Sequence, residues 1–189
     1  MLWWIARSTA LVALLLLTVT VTLGVAAGSG RPQTRVVVQR VHRDASALAV
    51  VLIAVHVATL VLDPHVDLGL LDIVVPFGSG FHRLATGLGT VALDLVLTVA
   101  VTSALRTRLS GRAWRAVHAM AYAMWPVAAL HGLGAGTDVA AVRWLTMACA
   151  AVVGLAVAWR LTRARTRLAP VLAVVGLGVT GALAGLVLG

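Results

Sequence analysis

Six stretches of about twenty residues, nearly free of charge, follow one another along this chain with short turn-rich links between them. A helix needs about 20 apolar residues to cross a bilayer, and the stretches fall at roughly 8–27, 43–62, 84–105, 114–133, 139–160 and 170–188. The links, such as "GSGRPQTR", "DPHVDLG" and "GLGAGTD", are rich in turn formers. Of 189 residues, 61% are hydrophobic and 11% charged, more apolar side chain than a soluble domain of that length can hide. Lipid is therefore the expected solvent. The fold class that follows is all-α: a single domain over 1–189, an integral membrane bundle of six transmembrane helices.

The first stretch could be misread as a signal peptide, because "GVAAGSG" resembles a small-residue cleavage site. The net charge of +9 could suggest nucleic acid, but the arginines lie in short links between apolar runs, where they read as topology signals, and no nucleic-acid partner is expected. Arg31, Arg35, Arg40 and Arg43 follow span one. Arg106, Arg108, Arg112 and Arg115 follow span three, and Arg160, Arg163, Arg165 and Arg167 follow span five. These three links would share one side and hold twelve of the fifteen arginines; Arg7, Arg83 and Arg143 fall on the other with Asp63, Asp67, Asp72 and Asp138. The arginine-rich side is then cytoplasmic, and both termini face outward. All basic residues are Arg and all acids Asp, as in GC-rich bacterial coding, so a multi-pass protein of a bacterial plasma membrane is expected. The single Cys149 lies in an apolar run and reads as a packing residue. Trp114, Trp125, Trp144 and Trp159 suit interfacial anchoring or packing.

Imidazole gains nothing from hydrocarbon, yet two spans each carry a pair. His42 and His56 stand fourteen residues apart on span two, and His118 and His131 thirteen apart on span four. These are rises of about 21 and about 19.5 Å. Spans two and four run in the same direction, so His42 would lie level with His118 and His56 with His131. Two tiers of facing imidazoles form the layout by which helix bundles hold a flat macrocycle, and histidine is a frequent haem-iron ligand. Coordination also satisfies a ring nitrogen that lipid would leave unpaired. Two haems between helices 2 and 4 are therefore expected. Fourteen residues return to within about 40° of the starting face, but thirteen leave the second histidine about 140° away. The second pair thus needs a local change of winding, for which Pro126 is the candidate. The competing reading is four separate histidines, each packed or hydrogen-bonded. No C-x-x-C-H occurs, so covalently attached haem is not expected.

With these pairs, the phrases "HRDASALAVVLIAVHVATLVLD", "RLSGRAWRAVHAMAYAMWPVAALHGLGAGTD" and "WWIARSTALVALLLLTVTVTLG" resemble the ferric reductase-like transmembrane family over spans one to five. The family includes NADPH oxidases and bacterial haem-binding partners of periplasmic reductases. The resemblance implies two b-type haems passing electrons across the membrane, with His42, His56, His118 and His131 as their ligands. Fused members carry a cytoplasmic flavin and nicotinamide domain after the last helix. Here "RLTRARTRLAP" leads into another apolar run, so no FAD or NAD(P) site is expected and the donor would be a separate flavoprotein reductase or a membrane quinol. "GLGVTG" places Gly176, Gly178 and Gly181 in a G-x-G-x-x-G pattern, but it follows no strand and lacks the acidic residue a dinucleotide site requires. Gly181 and Gly185 instead suit close helix packing.

Haem propionates need cationic partners. Arg40, Arg43, Arg112 and Arg115 lie near the level of the inner pair, and Arg83, Arg143 and Thr137 near the outer one; the alternative is that these arginines set topology and bind lipid phosphate. Asp94, mid-way along span three, is a costly carboxylate at that depth, there to pair, relay a proton or stay protonated and hydrogen-bonded. Gly87 and Gly89 would let a flat cofactor or a neighbouring helix approach closely. His65 and His82 in the outer link are solvated, structural, or in contact with substrate or haem edge. Three functions remain: a di-haem electron conduit to an outer acceptor, a quinol-linked cytochrome b subunit, and a membrane scaffold or transporter with incidental histidines.

Overall fold

A computed structural model describes residues 1–26, 32–135 and 139–163. Its regular elements are α1 (Leu2–Ala26), α2 (Pro32–Leu62), α3 (Leu70–Val74), α4 (Arg83–Ala104), α5 (Gly111–His118), α6 (Ala121–Ala135) and α7 (Val139–Arg163). A 3₁₀ turn spans Arg106–Arg108, and there is no strand among the described residues. Among the described residues, four helical stretches are long and apolar enough to cross a membrane: Leu2–Ala26, Gln33–Leu62, Arg83–Ala104 and Ala140–Arg160. The protein is all-helical and built for a membrane. The stretch expected as the sixth span, 170–188, lies outside the described residues.

Three expected boundaries need correction. Span one was expected from 8, but α1 begins at Leu2. Span two was expected from 43, but α2 begins at Pro32 and runs 31 residues. Proline is at home in the first helical position, where its missing N–H would bond to nothing, and no helix breaker follows before Leu62. Arg35, Arg40 and Arg43 therefore ride on a helix rather than in a link.

The run 114–133 is not one helix. It is α5 and α6, separated by a turn at Ala119–Met120. The amphipathic pattern changes there. Arg112 and Arg115 are exposed on α5 while Trp114, Val117 and His118 are half-buried; α6 carries no charged residue. Ser110 caps α5, its hydroxyl accepting from Ala113 N at 3.2 Å. At fifteen residues α6 is about 22 Å long, too short to cross a bilayer alone. The change of winding expected at Pro126 occurs instead at this break, and Pro126 sits inside α6.

The chain forms two compact units, Met1–Leu14 with Ala47–Thr137, and Leu15–Ser46 with Asp138–Gly189. Within the first, α4 packs on α6, α5 and α3. Many of the buried positions are small: Ala6, Ala49, Ala85, Ala92 and Ala129 in the first unit, Thr146, Cys149 and Ala150 in the second. Large apolar side chains such as Val51, Leu97, Val101, Val152 and Leu155 face outward. That inversion suits lipid, where close backbone approach rather than burial of bulk drives helix packing.

Candidate functional site

His56 on α2 and His131 on α6 lie in the first unit, both half-buried. His56 Nδ1 donates to the main-chain carbonyl of Ala6 on α1 at 2.8 Å. His131 Nδ1 donates to that of Ala85 on α4 at 2.7 Å. A carbonyl oxygen can only accept, so each Nδ1 carries the proton and each Nε2 the lone pair. Alanine at 6 and at 85 lets a ring reach the helix backbone. The two ring centroids are 6.3 Å apart with planes at 74°.

Glycine makes room for one of these rings. A Cβ at Gly89 would lie 2.7 Å from His131 Cε1 and 2.8 Å from Nδ1. The Gly89 side of α4 thus receives an imidazole. Gly87 serves a different contact, since a Cβ there would collide with the Phe77 ring. A flat cofactor or a neighbouring helix was expected to approach these two glycines; the groups they admit are the side-chain rings of Phe77 and His131.

His42 belongs to the second unit and His118 to the first, and each is described within its own. His42 Nδ1 donates to Thr20 O of α1 at 2.9 Å. Ser46 Oγ donates back to His42 O at 2.6 Å. His118 Nδ1 meets Ser103 Oγ of α4 at 3.3 Å, and its ring stacks on Trp114 at 4.8 Å and 23°. Arg106 lies over the Trp114 ring at 5.5 Å. Three of the four histidines therefore share one device, an Nδ1–H held by a main-chain carbonyl of another helix; His118 has a hydroxyl in that place.

The remaining candidates scatter. Arg40, Arg112 and Arg115 are exposed, and Arg43 pairs with its neighbour Asp44 at 3.2 Å. Arg83 donates from Nε to Phe77 O at 2.9 Å, which ties down the link before α4. Arg143 is half-buried on α7; Thr137 lies outside the described residues. Asp94 is exposed on α4, with no ion pair seen to it among the described residues. Trp125 is buried and Trp144 exposed, so only the second is free to act as an interfacial anchor. Cys149 is buried, in keeping with a packing role.

His65 is structural in part. Asp63 Oδ1 accepts from its main-chain N at 3.1 Å and lies 3.0 Å from its ring Nδ1. The His65 main-chain N–H, and then its ring, hold the Asp63 carboxyl below the usual carboxylate range. His82 has a left-handed backbone, φ 40°, and its ring meets the Phe81 edge at 4.7 Å.

Among the described residues no three His, Cys, Asp or Glu side chains gather as a metal cluster. The residues that reasoning from sequence missed are Ala6, Thr20 and Ala85, because they act through main-chain oxygens, which every residue has.

Residues 1–138 match the family model described as Domain of unknown function (DUF8596). The chain belongs to the DUF8596 family. The match takes in α1 to α6 and all four histidines of the DUF8596 chain, while α7 follows it. Searches of curated proteins and of solved structures return no match.

Proposed function

We propose that this chain is a b-type haem protein of the membrane, resembling the ferric reductase-like transmembrane proteins, which passes electrons across the bilayer. In this reading His56 and His131 hold one haem, His42 and His118 a second. The observation that carries it is the His56–His131 pair. Two imidazoles bound to one metal from opposite sides, each nitrogen about 2 Å from it and each ring centre roughly 1 Å further, have centroids about 6 Å apart. The separation here is 6.3 Å. Both Nδ1 atoms are tied to carbonyls, which leaves Nε2 on each ring as the donor atom and raises its basicity.

A haem held by these histidines would supply one-electron exchange. The chain's contribution is to hold a proton at Nδ1, orient the rings and exclude water with apolar neighbours. Arg40, Arg43, Arg115 and Arg143 are the cations proposed for the propionates. In this reading the electron would enter at the arginine-rich face, taken as cytoplasmic, and leave at the outer face to an acceptor such as ferric iron, a redox protein or oxygen.

The test is the absorption spectrum of the purified protein reduced with dithionite, with haem counted per chain. Two low-spin b haems are expected. His56→Ala or His131→Ala should remove one, and His42→Ala or His118→Ala the other. Full haem content after all four substitutions would overturn the assignment. Reduction by a flavoprotein compared with reduction by a quinol identifies the donor.

A further inference from the structure

The link between α2 and α4, expected as a turn-rich connector, carries a short helix whose outer side is apolar. Leu70, Leu71 and Val74 are 73%, 77% and 68% exposed. Val75 and Phe81 are also exposed. Water is a poor surrounding for that side.

The depth of this helix follows from its contacts. Thr90 Oγ1 donates to Asp72 O at 2.9 Å, and the Phe77 ring fills the space over Gly87. Thr90 is seven residues into α4 and Gly87 four, so these contacts lie about 10 and about 6 Å along the axis from the Arg83 end. With 22 residues, α4 is about 33 Å long against a hydrocarbon layer of about 30 Å. Exposed Arg106 and Arg108 follow directly at its other end and hold that end at the opposite interface. No slack remains to lift Thr90 out of the membrane. A helix spanning the bilayer therefore carries α3 below the headgroups.

Several polar groups of the link are satisfied within it. Asp72 Oδ2 accepts from Gly69 N at 2.9 Å, Asp63 is held by His65, and Val75 N and Gly78 N find carbonyls at Leu71 and Val75. Self-satisfied backbone is what non-aqueous surroundings demand.

We propose that the link Asp63–His82 is a re-entrant segment that seats α3 at the boundary of headgroups and acyl chains, with Leu70, Leu71, Val74 and Val75 in contact with lipid. Amphipathic helices lie at about 5–10 Å depth in this boundary, in line with the Thr90 and Gly87 contacts. Lipid is the occupant because α3 is hydrogen-bonded to α4, a helix apolar enough to span, and Leu62 and Leu84, at the adjoining ends of two such helices, are likewise exposed, at 68% and 75%. This inference stands whether or not the chain binds haem.

The test uses the full chain in phospholipid vesicles, with Cys149→Ser so that one added cysteine takes a nitroxide label. Leu71→Cys and Val74→Cys are the reporting positions; both side chains are exposed, and either variant suffices if the other folds poorly. Leu97→Cys on α4 is the lipid reference and Thr107→Cys in the 3₁₀ turn the water reference. The expected result is a ratio of collision with oxygen to collision with a water-soluble nickel chelate several-fold above that at 107 and close to that at 97. Free collision with the chelate at 71 and 74 would overturn the proposal in favour of a solvent loop. Shielding from both reagents would overturn it in favour of a protein cover, whether a second copy or another chain.

Discussion

His131 is held from two directions, by the carbonyl of Ala85 and by the empty space over Gly89. Alanine at 89 would gain roughly 1 kcal/mol in helix propensity, but its Cβ would meet the ring at 2.7 Å, and overpacking of this kind typically costs about 1–3 kcal/mol. Gly89→Ala is expected to lower content of the haem assigned to His56 and His131 and leave the other, read from the reduced spectrum. Gly132→Ala, where a Cβ would meet nothing within 4 Å, is the control and should leave both.

Asp63 gives a prediction of another kind. Its native carboxyl is held below the usual range by His65, so the stability it contributes is complete above the ordinary carboxylate range and lost as pH falls through the depressed native value. Asp63→Asn should melt below the parent protein near neutral pH, the gap closing in strong acid; thermal melts of both across the acid range measure it. At this scale the four histidines were legible because imidazole is conspicuous among apolar residues. Their main-chain partners were not, since an acceptor common to all residues leaves no mark in a sequence.

Elements are legible where a helix is long and uniformly apolar. α4 differs from its expected bounds by one residue at each end, because hydrophobic run and helix coincide. They part company where polarity changes inside a continuous helix, as at Arg35 to Arg43 on α2, or where a helix ends without a polar run, as at Ala119–Met120. α3 escaped notice for a related reason: five residues are too few for a periodic signal, and its position depends on Thr90, eighteen residues from Asp72. That hydrogen bond is the anchor most open to test. Thr90→Val keeps the shape and removes the donor, and should weaken the docking of α3 by about 1 kcal/mol. Faster amide exchange over Leu70–Val75, with α4 unchanged, is the expected outcome.

For the whole molecule, an all-helical membrane fold followed from composition and run length alone. How helices meet did not, because small side chains such as Ala49, Ala92 and Ala129 define the contacts and are too frequent along the sequence to single out. If His56 and His131 serve one iron, their losses cannot add. His56→Ala and His131→Ala should each lower haem content by one per chain, and the double variant by no more than one, whereas independent histidines would give additive effects.

The turn at Ala119–Met120 bears on how such a protein can change over time. His118 ends α5 and His131 sits on α6, so the two rings are mounted on separate rods joined by a short elbow. A substitution that tilts α5 shifts one ring and is absorbed at the elbow before it reaches the other. Each ring is then open to adjustment by mutations on its own helix.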